Sequence, residues 1–235
     1  MLERLPFYIP LTFAVTTLVS MYLFFLIVKN VKSGRVKYCL GKIIIGMHVW
    51  LLFQAFLTLK NTYSSSIDSI PPKIVLFGIL PPIVAIILLF SMKNGRRFID
   101  ELPLINITYL NLIRIPVEIV LYCLFVNKVV PEIMTFEGIN FDIFAGLTSP
   151  IIAYYGLIKQ KFNRMIILIW NFICLGLLIN IVIIAFLSAP SPLQKLAFEQ
   201  PNIAILRFPY SWLPTFIVPL VLFGHLVSIR QLLKN

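Results

Sequence analysis

Residues 104–126 read LINITYLNLIRIPVEIVLYCLFV. As an α-helix this stretch is about 35 Å long, enough to cross a hydrocarbon core of roughly 30 Å. Its centre nevertheless holds Arg114, Pro116 and Glu118. A charge at the middle of a membrane helix costs about 2.5–3.5 kcal/mol on insertion scales, so such residues face a bundle interior or a wet cavity. Asn111, Arg114, Glu118 and Tyr122 follow one another at intervals of three, four and four, which puts them on one stripe. The i,i+4 spacing offers Glu118 as the ion-pair partner of Arg114. Pro116 removes one backbone donor and frees the carbonyl of Leu112, so a bend is expected between the two charges. The stripe reads as a ligand-binding or proton-relay site, the alternative being an ion pair that only locks helix packing.

Working outward, the whole chain shares the apolar character of this helix. Of its 235 residues, 60% are hydrophobic and 12% charged, with a mean hydropathy of +0.96. Soluble domains run to about 45–50% apolar and 25% charged, so lipid must serve as part of the solvent. Seven apolar segments, about 9–28, 39–59, 74–92, 104–126, 142–158, 165–187 and 210–231, define the expected fold class. It is an all-α integral membrane protein, a single seven-helix transmembrane bundle over residues 1–235. The run from Ile9 to Val28 is too long for a secretory signal core and leads into the basic stretch KNVKSGRVK, so it reads as a retained helix.

The net charge of +11 follows the topology rather than a nucleic-acid surface. Lys29, Lys32, Arg35, Lys37, Lys42, Lys93, Arg96, Arg97, Lys159, Lys161, Arg164, Arg230 and Lys234 fall on one side of the expected bundle. Arg4, Lys60, Lys73, Lys128, Lys195 and Arg207 fall on the other. Positive residues stay cytoplasmic, which places the N-terminus outside and the C-terminus inside, in a bacterial-type inner membrane. The longer links, 60–73, 127–141 and 188–209, then lie outside and form an outward mouth.

Partners for the central stripe are sought on the other helices. His48 and His225 are both expected within the membrane, where imidazole suits a proton relay, a metal or an interhelical hydrogen bond. Their spacing forms no local metal motif. TFEGINFDIFAGLTSP (135–150) brings Glu137, Asn140 and Asp142 together, either as a cation or substrate contact at the outer mouth or as a cap for the fifth helix. Arg207 is placed either to face these acids or to anchor at the lipid headgroups. Gly146, Ser149, Ala153 and Gly156 make a small-residue packing face. Asn171 and Asn180 point to opposite sides of the sixth helix. Cys39, Cys123 and Cys174 form no C-x-x-C pair and read as buried side chains.

The expected seven-helix order is similar to that of rhodopsins in topology alone. No lysine lies inside the seventh helix to form a Schiff base, so no retinal is expected. Small 3+1+3 sugar transporters share this length and topology, but their Pro-Gln signature is missing. Three functions stay open: binding or transport of a small solute or ion, enzymatic action on a lipid or isoprenoid-like substrate, and a structural role in assembly. Besides the lipid bilayer, the expected partners are a small solute, ion or lipid ligand and a second copy of the chain.

Overall fold

The computed structural model describes residues 5–31, 34–65 and 67–234, with backbone alone for 34–39. Arg4 and Lys32, and the side chains of Arg35, Lys37 and Cys39, lie outside the described residues. The described chain is helical, without a β-strand among its elements. Its α-helices are α1 (Tyr8–Lys29), α2 (Gly34–Leu59), α3 (Leu80–Ser91), α4 (Lys93–Glu101), α5 (Leu104–Leu110), α6 (Arg114–Val126), α7 (Ile143–Ile151), α8 (Arg164–Ser188) and α9 (Val218–Lys234). π-Helical segments lead into α3 (Val75–Ile79), prolong α7 (Ile152–Ile158) and lead into α9 (Leu213–Ile217).

Every expected apolar segment is helical, but the expected count of seven spans is reduced. Tyr8–Lys29, Leu40–Leu59, Leu104–Val126, Arg164–Ser188 and Leu213–Lys234 are long and apolar enough to cross a membrane. Val75–Ser91 and Lys93–Glu101 add a sixth if they are counted as one span, and they bend by 93°. Ile143–Ile158 has 16 residues, about 24 Å at α-helical rise, which falls short of a 30 Å core. The described residues thus form a helical protein with five, or up to six, helices long and apolar enough to cross a membrane.

The sharp bend has a local cause. Met92 adopts an extended conformation between α3 and α4. A β-carbon on Gly95 would sit 2.7 Å from the Cα of Leu89, so only glycine lets the two helices fold this closely. Arg96 donates to the Ser91 carbonyl at 2.7 Å, which satisfies the end of α3. Ile99 is fully buried beneath α4, and Asp100 grips Arg230 of α9 through two hydrogen bonds of 2.8 and 3.2 Å. A short polar link was expected at 93–103; its i,i+4 pair Gly95 and Ile99 is the signal for a packed helix.

The core collects one face of α1 with α5, α6 and α9. Ile9, Phe13, Ile27 and Val28 of α1 are buried. Phe13 meets Tyr210, and Phe24 meets Phe223 edge-on, with centroids 5.4 and 6.0 Å apart. Thr16, Thr17 and Ser20 also face inward, and each hydroxyl bonds a carbonyl of its own helix. By contrast, only 11% of the apolar window of α2 is buried, so α2 lies at the periphery. Its second half is stitched to the segment before α9: Trp50 donates to the Thr215 carbonyl, Trp212 to the Leu51 carbonyl, and Thr58 pairs with Ser211.

Candidate functional site

The site begins at the irregularity in the 104–126 helix. Pro116 has no N–H for the Leu112 carbonyl, and the chain tightens into a 3-10 turn over Asn111–Ile113 just before Arg114. Arg114 and Glu118 both point inward, with relative exposures of 2% and 1%. They do not pair with each other as their spacing had implied. Arg114 Nη1 lies 3.0 Å from Asp142 Oδ1, and Nη2 lies 3.2 Å from His225 Nε2. The guanidinium also donates to the Cys174 carbonyl at 3.4 and 3.5 Å. One side chain therefore ties α6 to the start of α7, to α8 and to α9.

The hydrogen bonds decide the state of His225. Its Nδ1 lies 3.0 Å from Asn171 Oδ1, while Asn171 Nδ2 donates to the Ile167 carbonyl at 2.9 Å. Asn171 thus presents an oxygen, so His225 Nδ1 carries the proton. Nε2 is left as the acceptor for Arg114. His225 is a neutral prop for the guanidinium in this arrangement, not a free proton carrier.

Asp142 reaches Arg114 because α7 packs unusually close. A β-carbon on Gly146 would lie 2.8 Å from Ile115 Cγ1 and 3.3 Å from the Asn111 carbonyl. Ser149 and Ala153 are likewise fully buried on this face. Asp142 occupies the N-cap position of α7 yet makes no side-chain cap; its carboxylate goes to Arg114 instead. Asn140 takes over locally. Its Oδ1 accepts the Asp142 N–H at 3.1 Å, and its Nδ2 donates to the Met134 carbonyl at 2.9 Å and to Glu118 Oε2 at 2.7 Å. Glu118 Oε1 receives no hydrogen bond. Asp142 Oδ1, for all its closeness to Nη1, has no partner in hydrogen-bonding geometry, and Arg114 Nε and Asn111 Oδ1 are buried without one.

The structure thus brings together Arg114, Glu118, Asn140, Asp142 and His225, with Asn171 and the Cys174 carbonyl behind them. Asn111 stands beside them, donating to the Thr108 carbonyl at 3.2 Å. Tyr122 lies outside the cluster, stacked on Phe136 with centroids 5.0 Å apart. His48 is exposed on α2 and bonds the Ile44 carbonyl of its own helix at 2.8 Å. Glu137 is exposed, and Arg207 bonds Asn61 Oδ1 at 2.6 Å rather than the acids. Asn180 donates to the Ile139 carbonyl and holds the 135–142 segment from α8. Among the described residues, no three His, Cys, Asp or Glu side chains gather in a metal-binding group.

A cavity of about 460 Å³ opens from this cluster. Ile79 and Ile83 of the α3 segment form one wall, Ile179, Val182, Ile183 and Phe186 of α8 another, and Val218 and Leu222 of α9 the back. Tyr63, Ile67 and Ser191 lie at the far end, on the links after α2 and α8. Among the described residues, the polar side chains in the lining are Tyr63, Ser191 and the buried Arg114, Glu118 and Asp142. Ile179 and Ile183 are about half exposed, so the wall between α3 and α8 is continuous with the outer apolar surface. Tyr63 is fixed by Gln54 at 2.5 Å, and Gln54 also donates to the Phe77 carbonyl in the π-helical segment before α3. Burial pushes the Tyr63 phenol above its ordinary range, partly offset by the Gln54 hydrogen bond. Gln54, Thr58, Tyr63 and Ser211 escaped the sequence reading; the i,i+4 pair Gln54 and Thr58 within apolar α2 was the available signal.

Fold and site together define a helical protein with several helices long and apolar enough to cross a membrane, around a buried, mixed-charge centre with an apolar cavity. Residues 71–233 match the family described as a domain of unknown function, DUF8737, and the chain belongs to that family. The match contains the whole charged cluster and most of the cavity. No curated protein and no solved structure matches the chain.

Proposed function

We propose that the protein binds an amphiphilic, lipid-like small molecule, with its apolar part along α3, α8 and α9 and its polar end at the buried cluster. The observation that carries this reading is the composition of the cavity wall, apolar along its length and charged at one end. Its volume falls in the range of small-molecule sites, about 300–1,000 Å³. The small polar solute or ion that the sequence pointed to would shed its hydration along walls with no hydrogen-bonding partner. An acyl or isoprenoid-like chain gains from the same walls, at about 25 cal/mol for each Å² of apolar surface removed from water. The half-exposed Ile179 and Ile183 supply a path for such a chain from the surrounding lipid.

The test uses the full chain in lipid nanodiscs and a photoreactive alkyl amphiphile. Saturable labelling of Ile183, Val218 or Leu222, competed by unlabelled amphiphile and lost in Ala185→Trp, which fills the cavity from a lining position on α8, is the expected result. Non-saturable labelling spread over exposed α2 positions such as Leu52 and Phe56 would overturn the reading.

A further inference from the structure

Resting on that reading, we infer that the polar end of the occupant is a protonated primary amine and that Glu118 is the group it pairs with. Three observations converge on this assignment. Two carboxyl groups, Glu118 and Asp142, share one guanidinium, and His225 Nε2 serves Arg114 as an acceptor, so the acidic side chains of the centre outnumber the cationic one. Arg114 is directed away from an occupant: its terminal nitrogens face Asp142, His225 and the Cys174 carbonyl, and Nε is fully buried. Glu118, by contrast, lines the cavity with its Oε2 bonded to Asn140 and its Oε1 left for a donor.

A cavity whose polar end offers an open carboxyl oxygen selects among head groups. A phosphate or carboxylate would meet two carboxylates with no free cation in the lining. A quaternary ammonium brings charge but no N–H for Glu118 Oε1, and Tyr63 and Phe186 are the only aromatic residues of the wall. A hydroxyl supplies a donor without the balancing charge. A primary ammonium is compact, carries three donors and balances the charge.

The experiment sets four amphiphiles of equal chain length, a primary amine, a trimethylammonium, an alcohol and a carboxylate, against the photoreactive probe at neutral pH. The full chain is held in nanodiscs, and concentrations are corrected for partition into protein-free discs. The amine is expected to displace the probe at roughly tenfold or more lower concentration than the alcohol, the increment of a charge-assisted hydrogen bond in a dry site. The carboxylate is expected to be the weakest. Glu118→Gln keeps the shape and should bring the amine to the level of the alcohol. A carboxylate equal to or better than the amine, or an amine preference that survives Glu118→Gln, overturns the assignment and leaves the cavity reading intact. Failure of all four to displace the probe removes the cavity reading itself. The wild-type comparison needs no variant, so poor folding of Glu118→Gln does not block the test.

Discussion

Replacing Arg114 by methionine should destabilise the protein more than replacing Arg114 and Asp142 together. In the folded chain Arg114 is 2% exposed, 3.0 Å from Asp142 and 3.2 Å from His225. Arg114→Met removes the only charge compensating Asp142, which is itself 5% exposed. Breaking one side of such a buried pair costs about 3–5 kcal/mol, because the remaining charge stays desolvated. Arg114→Met with Asp142→Leu removes both charges. Both variants leave His225 Nε2 and the Cys174 carbonyl without a donor, at about 1–3 kcal/mol per buried group, and only the single one also leaves the Asp142 carboxylate buried without its cation. The double variant should therefore recover about 2 kcal/mol relative to the single one. The two changes are then strongly non-additive, as expected for side chains in contact. Unfolding in mixed micelles titrated with a denaturing detergent, followed by tryptophan fluorescence, gives both values. A single variant within about 1 kcal/mol of the parent, or a double variant no better than the single, would refute the dry, paired centre described here.

His225→Leu should cost about 1–3 kcal/mol by removing the acceptor of one Arg114 Nη2 proton and the donor to Asn171 Oδ1, and His225→Gln should restore part of it in the same assay. Gly78→Ala should destabilise by about 1–3 kcal/mol through overpacking, since the new β-carbon would lie 2.5 Å from Cγ2 of the buried Thr215; an unchanged transition midpoint would contradict this. Hydrogen bonding to Arg230 in the first place, and then to Lys234, holds the Asp100 carboxyl below the usual carboxylate range. Its contribution is therefore present above the unfolded-state pKa of about 3.9 and fades as pH falls through the lowered folded value. Asp100→Asn should flatten the acid limb of a stability–pH profile below about pH 4, and an identical acid limb in parent and variant would count against the clamp.

The apolar segments were legible because each is long enough to impose a helix on any reading of hydropathy. What hydropathy did not show is that 75–91 ends in a corner and that 143–158 is too short to cross. The corner depends on one contact, Gly95 against the backbone of Leu89, which leaves no trace in composition. Within the site, the inward direction of Arg114 and Glu118 followed from the cost of charge in an apolar helix. The pairing did not. Helical spacing proposes Glu118 for Arg114, whereas the partner is Asp142, delivered by the close approach of Gly146 to Ile115. Asp142 and Asn140 were visible as acceptors before a helix, and the ordinary expectation of a cap concealed their reach across the bundle. His48 shows the opposite limit: a histidine in an apolar helix reads as inward, but α2 carries too few inward contacts to bring it there. The cavity could not be read at all, since its walls come from segments distant in sequence.

The packing of α1 separates two kinds of unit in this chain. The stretch shared with the family begins at Pro71, after α1 and α2. Yet Ile9, Phe13, Phe24, Ile27 and Val28 of α1 fill the side of the bundle formed by α5, α6 and α9, and Phe13 and Phe24 rest on Tyr210 and Phe223 inside the shared stretch. The stretch matched to the family therefore does not contain the whole of the core. Cutting at its boundary would strip one flank of the core bare, and a family member without these two helices would have to cover that flank with an apolar surface of its own or of a neighbour.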